Sequence, residues 1–295
     1  MPSLKEVRIR IASVKSTQQI TSAMKMVAAS KLRRAQNAIL KMRPYASKLK
    51  EILQNLSASL EGTEQSPYTV QRMPEKVLLV VMTSNRGLCG AFNSNIIKTA
   101  VSRMIEQWPG QTASGNLKLI TIGKKGTEYF RKRGYNVVES YDQVFDNLTW
   151  ENASGIAERL MKEFTQHSYD RIEIIYNQFK NAAVQVLKVE QFLPVEPPKA
   201  DAAAPVKTQV DYIFEPSKEE IVTELIPKSL KIQFYKALLD SYASEHGARM
   251  TAMHQATDNA SELLKQLSLT YNKARQAAIT NEILEIVGGA EALKG

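Results

Sequence analysis

The residue types that usually carry catalysis are sparse in this sequence of 295 residues. Its three histidines, His167, His246 and His254, are not spaced as metal ligands, and no His-Glu-x-x-His motif occurs. Glu282 and Glu285 are three residues apart and could act as a general acid and base if they lay in a pocket. No pocket-forming pattern surrounds them, so we interpret them as surface hydrogen-bonding groups. We therefore expect no metal site and no cofactor.

Two glycine-bounded turns follow predicted strands, where a phosphate-binding loop would lie. Gly87-Leu-Cys-Gly90 and Gly123-Lys-Lys-Gly126 lack the G-x-G-x-x-G spacing and the Gly-Lys-Ser/Thr ending of phosphate loops. Cys89 is the single cysteine, which excludes an internal disulfide and a cysteine-based zinc site and suits a reducing compartment. No histidine lies near it in sequence, so we interpret Cys89 as a packed small residue. The sequence predicts no active site.

The middle of the chain alternates between strand and helix patterns. Apolar runs predict strands at 77–82, 117–122 and 171–178, and an edge or hairpin strand at 184–193. Helical patterns occupy 93–108, 127–133 and 149–167, while the proline-rich stretch 194–209 reads as an exposed loop and 211–216 as a short extended piece. This alternation predicts a small, open, mostly parallel sheet of Rossmann-like α/β type.

Both ends of the chain predict long helices with a coiled-coil seam. In residues 1–60, 14 of the 17 positions spaced alternately three and four are apolar, the exceptions being Gln18, Thr21 and Lys25. Ser3 and Glu6 form a capping-box pattern, and Pro44 should kink or break the helix. A second seam begins at Ile232, with 12 of 14 positions apolar or aromatic.

These patterns give three segments and one architecture. We predict an N-terminal coiled-coil helix at 1–60, an α/β domain at 75–215 and a C-terminal coiled-coil helix at 216–295. Helices of such lengths, at about 1.5 Å per residue, are too long to be enclosed by an α/β domain of ordinary size. The fold class is therefore α/β, with a long antiparallel coiled coil formed by the two terminal helices. The longer C-terminal helix should extend past its partner from near Tyr271.

That predicted overhang is apolar, and the first helix is basic. Ile279, Ile283, Leu284, Ile286 and Val287 would be an aggregation hazard on a lone helix, which indicates an obligate complex. Residues 1–60 contain 12 Lys or Arg and 2 acids, which accounts for the whole excess of the net charge of +9. Such a block favours an acidic partner, although a solvated helix face is the plainer alternative. No apolar run is long enough for a membrane span.

Several short motifs form a set that spans the whole chain. They lie at 11–14, 17–18, 20–21, 23–31 and 43–46, at 86–90, and at 248–253, 256–259, 271–276, 279–280, 282, 285 and 289–290. Together they resemble the motifs of the gamma subunit of F-type ATP synthase, the central rotor shaft. The chain has no apolar signal core or Arg/Ser-rich leader at its start, so we expect the mature protein to begin there and favour a bacterial over an organellar origin.

The resemblance implies a non-catalytic rotor subunit that couples proton flow through a membrane c-ring to ATP synthesis or hydrolysis at the beta sites. Its implied partners are the alpha and beta subunits, the epsilon subunit, the c-ring and, within the complex, delta. Contact with the membrane would be only through the c-ring, with the protein peripheral on the cytoplasmic face of the bacterial inner membrane. No nucleic-acid partner is expected.

The resemblance also implies roles for individual residues. Contact with beta is expected at Met24, Lys25, Lys31, Arg33, Arg34, Arg275 and Gln276. The apolar tip inside the alpha-beta sleeve would be Ile279, Ile283, Leu284, Ile286 and Val287. Contact with epsilon and the c-ring would involve Tyr212, Phe214 and Glu215.

Two other function classes are compatible with parts of the sequence. The α/β segment could bind a nucleotide in an enzyme, and tight binding by residues 75–215 would support that class. The basic first helix could bind nucleic acid, but Tyr45 is its only aromatic residue, which argues against stacking on single strands.

Overall fold

The computed structural model describes residues 3–59, 66–195 and 218–292. Helix α1 spans Leu4–Ser59 and the final helix, α6, spans Lys218–Ala292. Between them lie β1 Val77–Met82, α2 Phe92–Glu106, α3 Pro109–Ala113, β2 Leu117–Ile122, α4 Lys124–Lys132, β3 Val137–Ser140, α5 Trp150–Thr165, β4 Arg171–Phe179 and β5 Gln185–Leu193. The helical assignment continues through Pro44 and Pro227, so the predicted break at Pro44 is wrong.

The five strands form one sheet in the order β3-β2-β1-β4-β5. Strands β1 to β4 are parallel, and β5 pairs with β4 in the antiparallel direction at the edge. This confirms the predicted open, mostly parallel α/β sheet with a hairpin edge strand. Sequence patterns missed the short strand β3 and the short helix α3.

Both faces of the sheet are covered, which explains the unbroken apolar sequence of β1. Leu78, Val80 and Met82 face a core with α5 and the first part of α6, formed around Phe164 and Phe234. The alternate residues of β1 face a second core with α2 and α4. Successive strand side chains point to opposite faces, so a strand buried on both sides must be apolar throughout.

The described residues fall into two compact units. One comprises the start of α1 up to Ala29 and α6 from Arg249 onward, and the other comprises Ser30–Ala248. We call these the helical-pair unit and the α/β unit. At the start of α1, Ser3 and Glu6 cap each other, with the Glu6 carboxylate accepting from the Ser3 amide at 3.1 Å and the Ser3 hydroxyl accepting from the Glu6 amide at 3.4 Å. The predicted capping box is confirmed.

Candidate functional site: the paired helices and their free end

The helical-pair unit is an antiparallel pair, and four polar contacts between its described residues show the register. Arg8 Nη2 donates to Tyr271 Oη at 2.9 Å, and Gln18 Nε2 donates to Ser261 Oγ at 2.7 Å. From the first of these contacts to the second, the residue number rises by ten on α1 and falls by ten on α6. The two helices therefore run in opposite directions, as the sequence predicted.

The other two contacts continue the same register. Thr21 Oγ1 and Thr257 Oγ1 are 2.8 Å apart, and Lys25 Nζ and His254 Nδ1 are 3.2 Å apart. Arg8 also lies over the Tyr271 ring, and its hydrogen bond to that tyrosine raises the pKa of the guanidinium. Every predicted seam position from Leu4 to Leu49 is buried or half-buried, as is every one from Ile232 to Ala278. Burial at these spacings confirms the heptad pattern.

Helix α6 continues beyond the start of α1. Because Arg8 lies at the level of Tyr271 and α1 begins only at Leu4, the overlap ends about one turn beyond Tyr271. The predicted overhang exists but starts slightly later than expected. From Ile279 to Glu291, every residue is exposed. The five aliphatic side chains of the predicted tip are 48–71% exposed.

Apolar side chains also face outward along the pair itself. Outside the seam, Ile9, Ile20, Met26 and Val27 on α1 and Leu269 on α6 are each exposed by more than half. Monomeric proteins rarely leave so much large apolar surface in contact with water. This apolar surface was not predicted. The sequence did contain a signal for it, because these apolar residues lie outside the heptad positions.

Four of the seven residues predicted to contact beta lie in the helical-pair unit, at two levels along it. Met24 and Lys25 are half-buried, with Lys25 beside His254, whereas Arg275 and Gln276 are exposed about 30 Å further along α6. The structure therefore does not bring these two groups together. Lys31, Arg33 and Arg34 are exposed in the α/β unit, and Tyr212, Phe214 and Glu215 lie outside the described residues.

In the α/β unit, the backbone amides that could bind a phosphate donate hydrogen bonds to other groups of the protein instead. At the start of α4, the Lys124 amide donates to Asn85 Oδ1 at 3.1 Å, the Lys125 amide to Ser84 O at 3.0 Å, and the Gly126 amide to Thr83 Oγ1 at 2.8 Å. These are the donors that a helix N-terminus would offer an anion. The predicted strand-to-helix turn is present but consists of Gly123 alone, because 124–126 already belong to α4.

The crevice between the carboxyl ends of β1 and β4 is likewise filled. In open α/β sheets the ligand usually lies where the strand order reverses, which here is between β1 and β4. Asn177 of β4 accepts from Ser244 Oγ of α6 at 3.0 Å and donates to Phe92 O at the start of α2. A Cβ on Gly247 of α6 would lie 3.3 Å from Ala182, so the helix packs closely on the β4–β5 turn. This packing disfavours the nucleotide-binding alternative.

The turn 87–90 is compact and contains the single cysteine. Leu88 and Gly90 have positive φ angles of 61° and 59°, and Cys89 is buried, with Asn93 Nδ2 donating to its sulfur at 3.3 Å. The prediction of Cys89 as a packed residue is confirmed. Over the described ranges, no cluster of three or more His, Cys, Asp or Glu side chains could hold a metal ion.

A buried carboxylate that sequence reasoning missed lies in β4. Glu173 is 1% exposed and accepts from Arg103 Nε and Nη2, both at 2.9 Å, and from Arg171 Nε at 3.0 Å. Trp108 Nε1 is 3.4 Å from the same carboxylate. Burial opposes ionisation of Glu173, but the hydrogen bonds and charges of the two arginines outweigh it and lower its pKa. A cleft of about 450 Å³ opens beside this triad, and both arginines in its wall are paired with Glu173.

Within the described residues, no helix is both long and apolar enough to cross a bilayer.

A family model described as ATP synthase matches residues 3–293. The ATP synthase gamma chain of Flavobacterium johnsoniae is 61% identical over the full length of both chains, and that of Cytophaga hutchinsonii is 58% identical over 99% of each. The chain belongs to the ATP synthase gamma chain family.

Solved structures agree with this assignment of a gamma chain. A chain of the central stalk and c-ring structure of the Tetrahymena thermophila mitochondrial ATP synthase matches with a TM-score of 0.61 at 27% identity, covering 80% of this gamma chain and 99% of that chain. A chain of the Euglena gracilis mitochondrial ATP synthase matches in fold with a TM-score of 0.69 at 23% identity, covering 98% and 94%. The expectation from sequence motifs that this is a gamma subunit is confirmed.

Proposed function

We propose that this gamma chain is the central shaft of a proton-translocating ATP synthase and turns inside a ring of alpha and beta subunits. The observation that carries the proposal is the bare end of α6, where five large aliphatic side chains are exposed and no described helix covers them. A surrounding sleeve of alpha and beta subunits would cover this end and the outward apolar side chains of the helical pair. The unequal lengths of α1 and α6 support an asymmetric shaft.

Asymmetry matters because a rotor can change a binding site only through unequal contacts. A ligand or partner shifts a conformational equilibrium only by the difference in its interaction free energy with the two states. A shaft with one bare helix presents a different surface to each of three surrounding beta subunits. Rotation would then take the three beta sites in turn through different nucleotide affinities. The gamma chain would supply no catalytic group.

The remaining partners are assigned with the same proposal. Tyr212, Phe214 and Glu215 would contact the epsilon subunit and the c-ring, and delta would belong to the same complex. The protein would be peripheral on the cytoplasmic face of the bacterial inner membrane, touching the membrane only through the c-ring. Lys31, Arg33 and Arg34 would face acidic groups of beta, where exposed ion pairs contribute about 0–1 kcal/mol each.

Charge reversal at Arg275 tests the proposed contact with beta. Arg275→Glu should lower the ATPase turnover of a complex reconstituted from alpha, beta and this chain about tenfold, equivalent to about 1.4 kcal/mol in the barrier. The reason is that an exposed guanidinium that donates hydrogen bonds in the complex would be replaced by a repelled carboxylate. Turnover per assembled complex is the measurement.

Lys273→Glu is the matched control for this test. Lys273 is also exposed on α6, but two residues away and therefore on another side of the helix. It should leave turnover within twofold, and circular dichroism should show equal helicity for both isolated variants. Normal turnover with Arg275→Glu would remove Arg275 from the contact with beta, and failure of the wild-type chain to assemble with alpha and beta would refute the shaft itself.

A further inference from the structure

Three consecutive seam positions of α1 are polar, and all three find polar partners on α6. Gln18, Thr21 and Lys25 are the only polar residues among the 17 seam positions of the first helix. They lie against Ser261, Thr257 and His254, at 2.7, 2.8 and 3.2 Å between the polar atoms. We call these three pairs the polar ladder.

In the first two pairs of the ladder, Gln18–Ser261 and Thr21–Thr257, each hydroxyl has hydrogen-bond partners. Ser261 Oγ donates to Thr257 O at 2.9 Å, which leaves its lone pairs to accept from Gln18 Nε2. Thr257 Oγ1 lies 2.8 Å from Met253 O, and Thr21 Oγ1 lies 3.0 Å from Gln18 O. Each hydroxyl has one proton, so one of the two donates across the pair and the other donates within its own helix. Thr21 is only 8% exposed. A buried hydroxyl of this kind is costly when it loses its partner, whereas a paired one is tolerated.

The apolar part of the same seam distinguishes poorly between registers. Its members in the helical-pair unit include Ala28, Ala256 and Ala260, which are small and alike, and apolar contact is not directional. A slip of one heptad keeps the apolar stripes in contact. The same slip places Thr21 opposite Leu264, which has no hydrogen-bonding group, or Met250, whose sulfur is only a weak acceptor.

We propose that the polar ladder, with the Thr21–Thr257 pair at its centre, sets the axial register of the antiparallel helices. A single polar layer in a coiled coil can fix register at some cost in stability. One heptad corresponds to about 10 Å along the axis, so the ladder also determines how far the bare end of α6 extends past α1. The proposal about the register does not depend on the proposed function. The functional importance of how far the bare end extends rests on the proposed role as a shaft.

Spin-label distances in the full chain test the register directly. In a Cys89→Ala background, labels at the exposed sites Lys5→Cys and Lys265→Cys report the axial offset of α1 and α6. The unmodified ladder should give a single distance. The variant with Gln18→Leu, Thr21→Val, Thr257→Val and Ser261→Ala should add a second distance, from molecules whose helices are shifted by about 10 Å along the axis. Its melting temperature should not fall, since both partners of each buried bond become apolar.

Two further variants separate register from general effects of the substitutions. Thr17→Val with Thr270→Val makes the same chemical change on the same two helices. Both hydroxyls are exposed and donate to a backbone oxygen of their own helix, at 3.0 Å in each case. This variant should keep a single label distance. Thr21→Ser with Thr257→Ser keeps both buried hydroxyls and should also keep one distance.

A single unchanged distance in the four-residue variant would overturn the proposal and assign the register to the α/β unit. If that variant does not fold, Thr21→Val with Thr257→Val removes only two hydroxyls and should still give a minor second population. One distance in that double variant would equally refute the ladder. Neither result bears on assembly with alpha and beta, so failure here is distinguishable from failure of the shaft role.

Discussion

Gly123→Ala should destabilise the α/β unit by more than about 4 kcal/mol, a loss that few single substitutions reach. Gly123 follows β2 with a φ of 99°, a conformation that residues with a Cβ rarely adopt. A Cβ there would lie 2.1 Å from Thr83 O and 2.7 Å from Thr83 C, both backbone atoms at the end of β1. Relief would require β1 and β2 to separate at their carboxyl ends, where the start of α4 is also held. Denaturant unfolding followed by tryptophan fluorescence measures the loss, because Trp108 and Trp150 both belong to this unit.

Gly134→Ala separates the steric clash from the backbone strain. Gly134 has a φ of 76°, but nothing lies within 4 Å of a Cβ built on it. Alanine there should cost about 1–2 kcal/mol, the penalty of a left-handed conformation alone. Equal losses at Gly123 and Gly134 would show that the contact with Thr83 O is relieved by movement and that only strain matters.

Arg103→Met should destabilise the same unit by about 3 kcal/mol, because it leaves the buried Glu173 carboxylate with one guanidinium fewer. Adding Glu173→Met should recover a large part of the loss, since apolar side chains of similar size can replace a buried ion pair. Lys125→Met is the control: Lys125 pairs with Glu128 at 2.7 Å in an exposed position and should cost no more than about 1 kcal/mol. If Arg103→Met and Lys125→Met cost the same, the triad contributes no more than a surface pair.

The triad also predicts how stability depends on pH. The pKa of Glu173 is lower in the folded chain than in the unfolded chain, so the folded state favours the ionised carboxylate. Its contribution is therefore fully present above the unfolded pKa of about 4.5 and is lost as pH falls through the lower folded pKa. The free energy of unfolding of the wild type should fall more steeply below about pH 4.5 than that of the Arg103→Met, Glu173→Met variant. Parallel curves for the two proteins over that range would contradict the shift.

Helices and strands that leave a regular apolar pattern within one segment of the chain were predictable from the sequence. The strands Val77–Met82 and Leu117–Ile122 were placed to the residue because strands buried on both faces read as continuous apolar runs. The heptad seams were visible because every third or fourth residue is apolar over many turns. Strand β3 was missed because Val137–Ser140 is four residues long, lies at an edge and is buried on neither face.

Features that depend on which segments meet were not predictable. Glu173 lies 70 residues from Arg103, and their pairing follows from the position of β4 beside β1, which no local pattern specifies. A glutamate within an apolar strand was the only signal. The polar ladder was visible on α1 as three exceptions to the seam, but its partners required the register of α6. For the candidate site, the sequence motifs identified the family, and the structure added the geometry of the pair and its bare end.

The bare end of α6 has a consequence for the supply of the protein in a cell. An uncovered helix with five aliphatic side chains is a target for chaperones and proteases, as well as a site of self-association. If alpha and beta subunits cover this end, as proposed, a newly made chain should escape degradation only when those subunits are available to bind it. The amount of intact protein would then follow the synthesis of its partners and not its own messenger level.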